Sequence, residues 1–286
     1  MKGWRIAAAL TAVLVTSGCS AAAWQNVGMG IGDFTTTWTI GSCHRLDQLA
    51  ETDPMFPSDT SPAVPCDSSH ESETYAVVPI TGAVAAQPKR PSPLWLQRAT
   101  KGACSWTSMV AYLGGRPIDA LRNISILQIA PSEPEWVRGV RTLRCDVLLG
   151  PRSTAGVASV AVPLHDVLAA PAGDQFRVCR VYDQEVGCDQ PHDAELVNAW
   201  TKIPVGQPTK NTKSQETATL RAFCAPKALQ YLGVPLADRP HLAVIPGLPQ
   251  QKPTAHSTVL GQCWLGDATA GRLWTSSLRS GVRRLP

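Results

Sequence analysis

The sequence predicts an α+β protein built from two tandem, homologous small domains, each with mixed strands, one main helix and two disulfides. Three observations support this prediction: eight cysteines form two sets of similar spacing, one polar motif occurs in each half, and strand-like segments follow that motif both times. The chain has 286 residues, of which 44% are hydrophobic, so it can form packed cores and is not expected to be disordered.

The cysteine spacing indicates an internal duplication. The second, third and fourth members of the two sets are offset by 122, 120 and 118 residues, whereas the first members are 136 apart. A longer surface loop in the first half explains the difference, because loops tolerate insertions well. The two sets are Cys43, Cys66, Cys104 and Cys145, followed by Cys179, Cys188, Cys224 and Cys263.

The polar motif C-D-x-x-H-x-x-E keeps the same register as the cysteines. It occupies residues 66–73 and 188–195, which are offset by 122 residues. A Tyr-Leu-Gly sequence at 112–114 recurs at 231–233, with an offset of 119. An ordered series of matches across about 120 residues is the signature of a duplicated unit. The titratable residues of the motif, besides its aspartates, are His70, Glu73, His192 and Glu195.

Strands are expected after each motif and again near the last cysteine of each set. Their composition and spacing place the two α+β domains at 38–163 and 174–282, with a short linker at 169–173 that is rich in proline, alanine and glycine. The predicted strands are 74–80, 140–149, 196–203 and 259–265.

One helix is expected in each domain, near the third cysteine of each set. Apolar residues recur at helical spacing around Cys104 and Cys224, and the glycines Gly114 and Gly233 are suitable ends. Each helix is expected to carry its cysteine on or near the inward face. Trp106 lies on the apolar face of the first helix and is predicted to be part of the core.

Four cysteines in one domain allow three pairings. We favour the pairings that close the length-variable loop at its base and tie the helix to a late strand in both domains. The favoured pairs are Cys43–Cys66, Cys104–Cys145, Cys179–Cys188 and Cys224–Cys263.

Residues 1–18 are typical of a signal peptide. Two basic residues precede a ten-residue apolar stretch, which is too short to span a bilayer of about 30 Å. Residues 15–19 (VTSGC) resemble the lipobox of bacterial lipoproteins. That resemblance implies cleavage before Cys19, acylation of Cys19 by lipid such as palmitate, a tether over 19–37, and attachment to the extracytoplasmic face of the cell membrane. An ordinary secretory signal is the alternative.

Three stretches resemble the septum formation family of actinobacterial envelope lipoproteins. They are 41–43 (GSC), the Cys-x-x-Pro-His-x-x-Glu run at 188–195, and the Trp-x-x-Gly-x-Arg-x-x-x-Cys run at 136–145. The first copy has Ser42 where the family usually has aspartate and Ser69 where it has proline, and the second copy lacks the tryptophan run. The resemblance implies a link to cell division and brings no chemical activity with it.

The repeated histidines and glutamates are the most suggestive candidates for function, because histidine titrates near neutrality and a carboxylate can orient it. We favour a structural role at the entrance of a strand, and binding of a ligand or partner comes second. The third alternative is an envelope hydrolase that uses His70 or His192. No catalytic residue is assigned, and the sequences typical of common hydrolases and nucleotide-binding proteins do not occur.

A metal site is not predicted, and neither is a cofactor. Zinc bound by Cys66 and His70 would need thiolates, and eight paired cysteines would leave none. A metal-binding lipoprotein nevertheless stays an alternative. Trp136 is a candidate binding residue, because exposed tryptophans stack on sugars or anchor partners.

The main hypothesis is a lipid-anchored, non-enzymatic envelope protein whose partners are the membrane and an unidentified envelope protein or cell-wall glycan. A net charge of +4 is too small to indicate nucleic-acid binding. The arginines near the C-terminus are expected to belong to a solvated tail; they are Arg272, Arg279, Arg283 and Arg284.

Overall fold

The computed structural model describes residues 38–47, 49–50, 55–150, 157–204, 212–247, 258–269 and 271–279. The predicted signal peptide, Cys19 and the tether lie outside the described residues. The strands are β1 (Cys43–His44), β2 (Leu49–Ala50), β3 (Ser58–Asp59), β4 (Ala63–Val64), β5 (Ser72–Pro79), β6 (Ile124–Ile129), β7 (Thr142–Leu149), β8 (Val178–Val181), β9 (Gln184–Gly187), β10 (Ala194–Pro204), β11 (Leu242–Gly247) and β12 (Thr258–Asp267). The α-helices are α1 (Gly82–Ala85), α2 (Pro93–Ala99), α3 (Trp106–Tyr112), α4 (Glu133–Val137) and α5 (Thr212–Leu232).

The strands form two five-stranded antiparallel sheets of the same topology. The order is β4-β1-β5-β7-β6 in the first sheet and, read in the same direction, β9-β8-β10-β12-β11 in the second. The strands β5 and β10 each contain the glutamate that ends the polar motif, and each lies at the centre of its sheet. The α+β fold class with mixed strands and helices is therefore confirmed, and the equal strand order of the two sheets agrees with a duplication.

Both central strands contain a bulge at the same place. The register of β5 against β7 shifts between Thr74 and Ala76, and the register of β10 against β12 shifts between Leu196 and Asn198. The two bulges are 122 residues apart, which is the offset of the polar motif. Because a bulge re-aims the side chains around it, its recurrence is a second, structural sign of duplication.

The disulfides connect the same elements in both copies. The first bridge of each copy closes the loop ahead of the polar motif, and the second joins the helical region to the late strand, β7 or β12. They are the four pairs favoured from the sequence: Cys43–Cys66, Cys104–Cys145, Cys179–Cys188 and Cys224–Cys263.

The helices end where the sequence predicts. Gly114 follows the end of α3 with φ +75° and Gly233 follows α5 with φ +74°, a backbone conformation that favours glycine. The helix α5 runs for 21 residues and carries Cys224 as predicted, whereas Cys104 lies in the turn before the seven-residue α3. The prediction that the first helix carries its cysteine is therefore wrong, because that helix begins two residues later. None of the helices in the described part of the chain combines the length and apolar character needed to cross a bilayer.

The prediction that Trp106 lies in the core is wrong, because its side chain is 40% exposed. Trp106 is the first residue of α3, and the buried positions of this short helix are Met109 and Val110. These residues pack with Leu96 of α2 against one face of the first sheet. The helix is too short for its buried face to extend back to Trp106.

The predicted linker is held against the first copy. Two 3-10 helices, Val167–Ala169 and Pro171–Phe176, occupy this segment, and Leu168 and Phe176 are buried in the first core. The backbone N–H of Leu168 donates to the carbonyl of Leu113, just after α3, at 2.8 Å. The segment therefore packs as part of the first copy and is not a free connection.

Several contacts join the copies, which belong to one compact unit, Trp38–Pro286. The guanidinium of Arg279 donates to both carboxylate oxygens of Asp119 at 2.7 Å, and Arg177 lies 3.4 Å from the same carboxylate. Asp119 is buried, so a charge of the first copy is neutralised by arginines that follow it in the chain. The prediction that Arg279 belongs to a solvated tail is therefore wrong.

The longer loop of the first copy covers the sheet face opposite the helices. Its Asp59 accepts a hydrogen bond from Arg144 on β7 at 2.6 Å, and Arg144 also lies 3.0 Å from Asp146. All three side chains are buried, and the His44 ring lies 3.3 Å from the guanidinium. In the second copy, Gln262 and Trp264 stand 118 residues after Arg144 and Asp146, so this charge cluster exists only beneath the loop.

Candidate functional site

The two motif histidines occupy equivalent, fully buried positions. His70 exchanges two backbone hydrogen bonds with Val160, at 2.9 and 3.0 Å, and His192 does the same with Trp274, at 2.9 and 2.8 Å. The backbone of each histidine therefore holds the segment that follows the late strand of its own copy, β7 or β12, and returns to the motif. This placement agrees with a structural role at the entrance of β5 and β10.

The histidine rings also bond to the backbone. Nδ1 of His70 lies 2.8 Å from the carbonyl oxygen of Ser68, and Nδ1 of His192 lies 2.7 Å from that of Gln190. A carbonyl only accepts, so Nδ1 donates to it in both rings. Neither Nε2 has a hydrogen-bond partner among the described residues. Because both rings are buried, neither Nε2 atom faces solvent.

The motif glutamates clamp the same returning segments. Glu73 accepts the backbone N–H of Leu164 at 2.6 Å and that of His165 at 3.1 Å. Glu195 accepts the backbone N–H of Leu278 at 2.6 Å and the hydroxyl of Ser277 at 2.7 Å. Both carboxylates are buried, so these donors replace the water that would otherwise solvate the charge.

The Tyr-Leu-Gly repeat supplies the remaining donor to each glutamate. The Tyr112 hydroxyl donates to Glu73, and the Tyr231 hydroxyl donates to Glu195. Burial raises the pKa of Tyr112 and of Tyr231 well above the usual value, and the hydrogen bond to the glutamate adds to the rise in both cases. Both phenols therefore stay protonated, and each keeps donating to its carboxylate.

Two sets of potential ligand atoms lie beside the disulfides. A ring nitrogen of His192 lies within 4.8 Å of the sulfurs of Cys179 and Cys188, and a carboxylate oxygen of Glu73 is similarly close to Cys43 and Cys66. All four sulfurs are in disulfides, so they offer no thiolate to a metal ion. The sets work as packing contacts in this oxidised form.

Trp136 is fully buried and presents no ring face to solvent. Its indole N–H donates to the carbonyl of Gln87 at 2.8 Å, and the Arg141 guanidinium stacks 4.0 Å from the ring centroid. Arg141 also donates to the carbonyls of Ala85 and Trp136, at 2.7 and 2.6 Å. The tryptophan run at 136–145 therefore fastens α4 to the start of β7 and does not supply a binding surface.

A half-open cavity of about 270 Å³, lined by both polar and apolar residues, lies where the copies meet. It is next to both motifs, because Val160 pairs with His70 and Gln190 accepts from His192. The Arg122 guanidinium, 3.6 Å from Glu185, contributes cationic donors. The polar lining residues are Arg122, Asn123, Ser159, Gln175, Asp189 and Gln190.

Sequence reasoning did not find this cavity, since its lining comes from several separate segments that carry no common motif. Its polar groups can hydrogen-bond a small polar ligand, a sugar hydroxyl or a peptide amide among them. Its lining contains neither histidine nor cysteine, so it has no nucleophile paired with an imidazole base. These polar side chains supply donors and acceptors for recognition of such a ligand.

Comparison with known proteins supplies the remaining finding. A model of the septum formation family matches residues 40–253 as one continuous stretch that includes most of both copies. The match is therefore not made separately to each copy, as the motif resemblance implied. No curated protein and no solved structure matches the chain. Because the matched stretch is well over half of the 286 residues, the chain belongs to the septum formation family.

Proposed function

We propose that the protein is a lipid-anchored, extracytoplasmic envelope protein that acts in septum formation as a non-enzymatic binding or scaffolding module. One observation carries the non-enzymatic part: in both copies the histidine ring and the glutamate carboxylate of the motif are buried and hydrogen-bonded to backbone groups. A titratable group that is buried and hydrogen-bonded to the backbone stabilises the fold and is not accessible to a substrate. Family membership supports the link to cell division or the envelope.

Anchoring is supported by the sequence of the first 19 residues and by the redox state of the cysteines. Disulfides persist in oxidising compartments, and all eight cysteines after Cys19 are paired. Labelled palmitate should enter the protein in a bacterial host and should not enter the Cys19→Ser variant. Equal labelling of both proteins, or no labelling of either, would contradict the anchor.

The cavity between the copies is the proposed recognition site. A photoreactive amino acid at Gln190, an exposed lining residue, should capture a cell-wall glycan or an envelope protein in dividing cells. The matched control is the same group at Asp238, an exposed position in the second copy outside the cavity lining. Capture at both positions, or at Asp238 alone, would place the recognition site elsewhere.

The competing hydrolase hypothesis predicts a different outcome. If His70 or His192 were a catalytic base, His70→Gln and His192→Gln would abolish release of soluble fragments from labelled wall material. We expect no such release from the unaltered protein. The metal-binding alternative is tested by metal analysis of the mature protein purified under oxidising conditions, for which we expect no stoichiometric metal.

A further inference from the structure

The helical layer of the first copy has an unusual charge distribution. Residues 74–118, which include α1, α2 and α3, contain five basic residues and no acidic residue. Two of the five make hydrogen bonds to the backbone. Arg90 donates to the carbonyls of Pro131 and Phe56. Arg116 donates to the carbonyls of Gln230 and Tyr231. The other three are Lys89, Arg98 and Lys101.

These three cations are exposed, and no carboxylate lies within ion-pair distance of them in the part of the chain that the structure describes. Only Arg98 has an aromatic neighbour, the Trp95 ring, whose centroid is 5.9 Å from its guanidinium. The three side chains therefore present positive charge without an ion-pair partner among the described residues, although Glu133 of α4 lies nearby and accepts the backbone N–H of Arg90 at 3.2 Å.

The same helical segment also carries large exposed apolar side chains. Leu94 and Trp95 of α2 are 53% and 56% exposed, while Leu96 points the other way and is fully buried. The helix thus buries Leu96 on its inner side and combines Leu94 and the Trp95 ring with the cation of Arg98 on its exposed side. Trp106, at the start of α3, is 40% exposed. We call Lys89, Leu94, Trp95, Arg98, Lys101 and Trp106 the basic aromatic face.

We infer that the basic aromatic face docks on the headgroup region of an anionic lipid bilayer. Tryptophan is enriched at membrane–water interfaces because its ring is amphipathic, and exposed leucine adds buried apolar area. Each lysine or arginine near an anionic surface strengthens binding by roughly fivefold. The unneutralised charge favours an anionic surface, and the adjacent apolar rings favour lipid over a fully hydrated wall polymer.

This inference rests on the proposed location outside the cytoplasmic membrane. A chain with Cys19 anchored in lipid can place the face on the same membrane, because the 19 residue steps from Cys19 to Trp38 span at most roughly 65 Å. The docked face would fix the orientation of both copies relative to the bilayer.

Vesicle flotation of the mature full-length Cys19→Ser chain tests the docking without the lipid anchor. We expect binding to phosphatidylcholine vesicles that contain phosphatidylglycerol, much weaker binding to phosphatidylcholine alone, and release by salt. The triple variant Lys89→Gln, Arg98→Gln, Lys101→Gln should lose about two orders of magnitude in vesicle affinity, at roughly fivefold per cation. The double variant Leu94→Ala, Trp95→Ala should lose about tenfold.

The control variant is Tyr182→Ala with Arg221→Gln, which removes an 81% exposed aromatic residue and an exposed cation from the second copy. It should bind vesicles as the parent chain does, and circular dichroism should show all variants folded. Failure of the parent chain to bind anionic vesicles would overturn the inference, as would equal loss in the control. Sedimentation with isolated cell wall in preference to vesicles would also overturn it. Palmitate labelling at Cys19 is read separately, so loss of docking and loss of the anchor are distinguishable.

Discussion

The carboxylate of Glu195 accepts the backbone N–H of Leu278 at 2.6 Å, although the two residues are 83 positions apart. Glu73 makes the equivalent bond to Leu164 in the first copy, across 91 positions. In each copy, one buried carboxylate thus holds the segment that closes the domain after its last strand. We call this contact the clamp; the polar motif supplies its acceptor, the glutamate carboxylate.

The clamp predicts that Glu195→Gln lowers the free energy of unfolding by about 2–3 kcal/mol, because an amide cannot satisfy every donor that the carboxylate accepts. The control Glu185→Gln alters a partly exposed residue whose oxygen lies 3.6 Å from Arg122, and it should cost no more than about 0.5 kcal/mol. Urea-induced unfolding followed by circular dichroism measures both values. Equal, small losses would show that the clamp does not stabilise the fold.

The disulfide that closes the longer loop should stabilise the fold more, by an amount that grows with the logarithm of loop length. Cys224 and Cys263 are 39 positions apart, and Cys179 and Cys188 are 9 apart. By the loop-entropy relation, replacing the first pair with alanine should cost about 4 kcal/mol and replacing the second about 2.5 kcal/mol. Urea unfolding of the two double variants under oxidising conditions gives the comparison. A larger loss from the shorter loop would contradict the entropic explanation.

The ion pair beneath the first-copy loop gives a third prediction. Asp59→Asn leaves the buried Arg144 with one carboxylate fewer, and breaking a buried pair in this way costs about 3 kcal/mol. Asp47→Asn, in an exposed part of the same loop, should have almost no effect. Thermal unfolding at neutral pH measures the difference. If the two variants unfold at the same temperature, the pair does not hold the loop on the sheet.

His44 should make the stability depend on pH. Burial, and then the nearby charge of Arg144, lowers the pKa of His44 below its usual value of 6.5, while Asp146 and Asp59 oppose the shift. The folded state therefore prefers the neutral ring, and the unfolded chain takes up the proton first. The stability that His44 contributes is present above pH 6.5 and is lost as the pH falls through the interval down to the lowered pKa.

The measurement compares unfolding at about pH 7.5 and about pH 5.5 for the parent protein and His44→Gln. The parent should lose more free energy of unfolding than the variant over this interval. Burial raises the pKa of Asp174, which gives a contribution of opposite sign at lower pH, but Asp174 is the same in both proteins. Identical pH dependence would show that His44 does not contribute.

Much of the fold was predictable, because duplication leaves a pattern that does not depend on tertiary contacts. The offsets of cysteines and motifs predicted two copies, and the copies have the same strand order and the same bulge. The use of Glu73 and Glu195 was not predictable. Their partners include backbone N–H groups, which every residue except proline possesses and which therefore leave no signature in a sequence.

The wrong predictions also concern features that depend on tertiary contacts. Apolar spacing placed Trp106 in the core, but the extent of a buried face depends on where the helix begins relative to the sheet. Trp136 was considered for binding, yet Arg141 and the carbonyl of Gln87 enclose it. Arg279 was assigned to a solvated tail, and only the approach of the two copies brings it to Asp119.

The sequence by itself determined the number of copies, the α+β class and the family-like motifs, since these are properties of order and spacing along the chain. Only the tertiary structure decided what the motif does, because the returning segments that Glu73 and Glu195 hold are distant in sequence. The basic aromatic face depends on both the sequence and the tertiary structure. Its lack of acidic residues is visible in the sequence, but the exposure of Leu94 and Trp95 beside a buried Leu96 is decided by how α2 packs on the sheet.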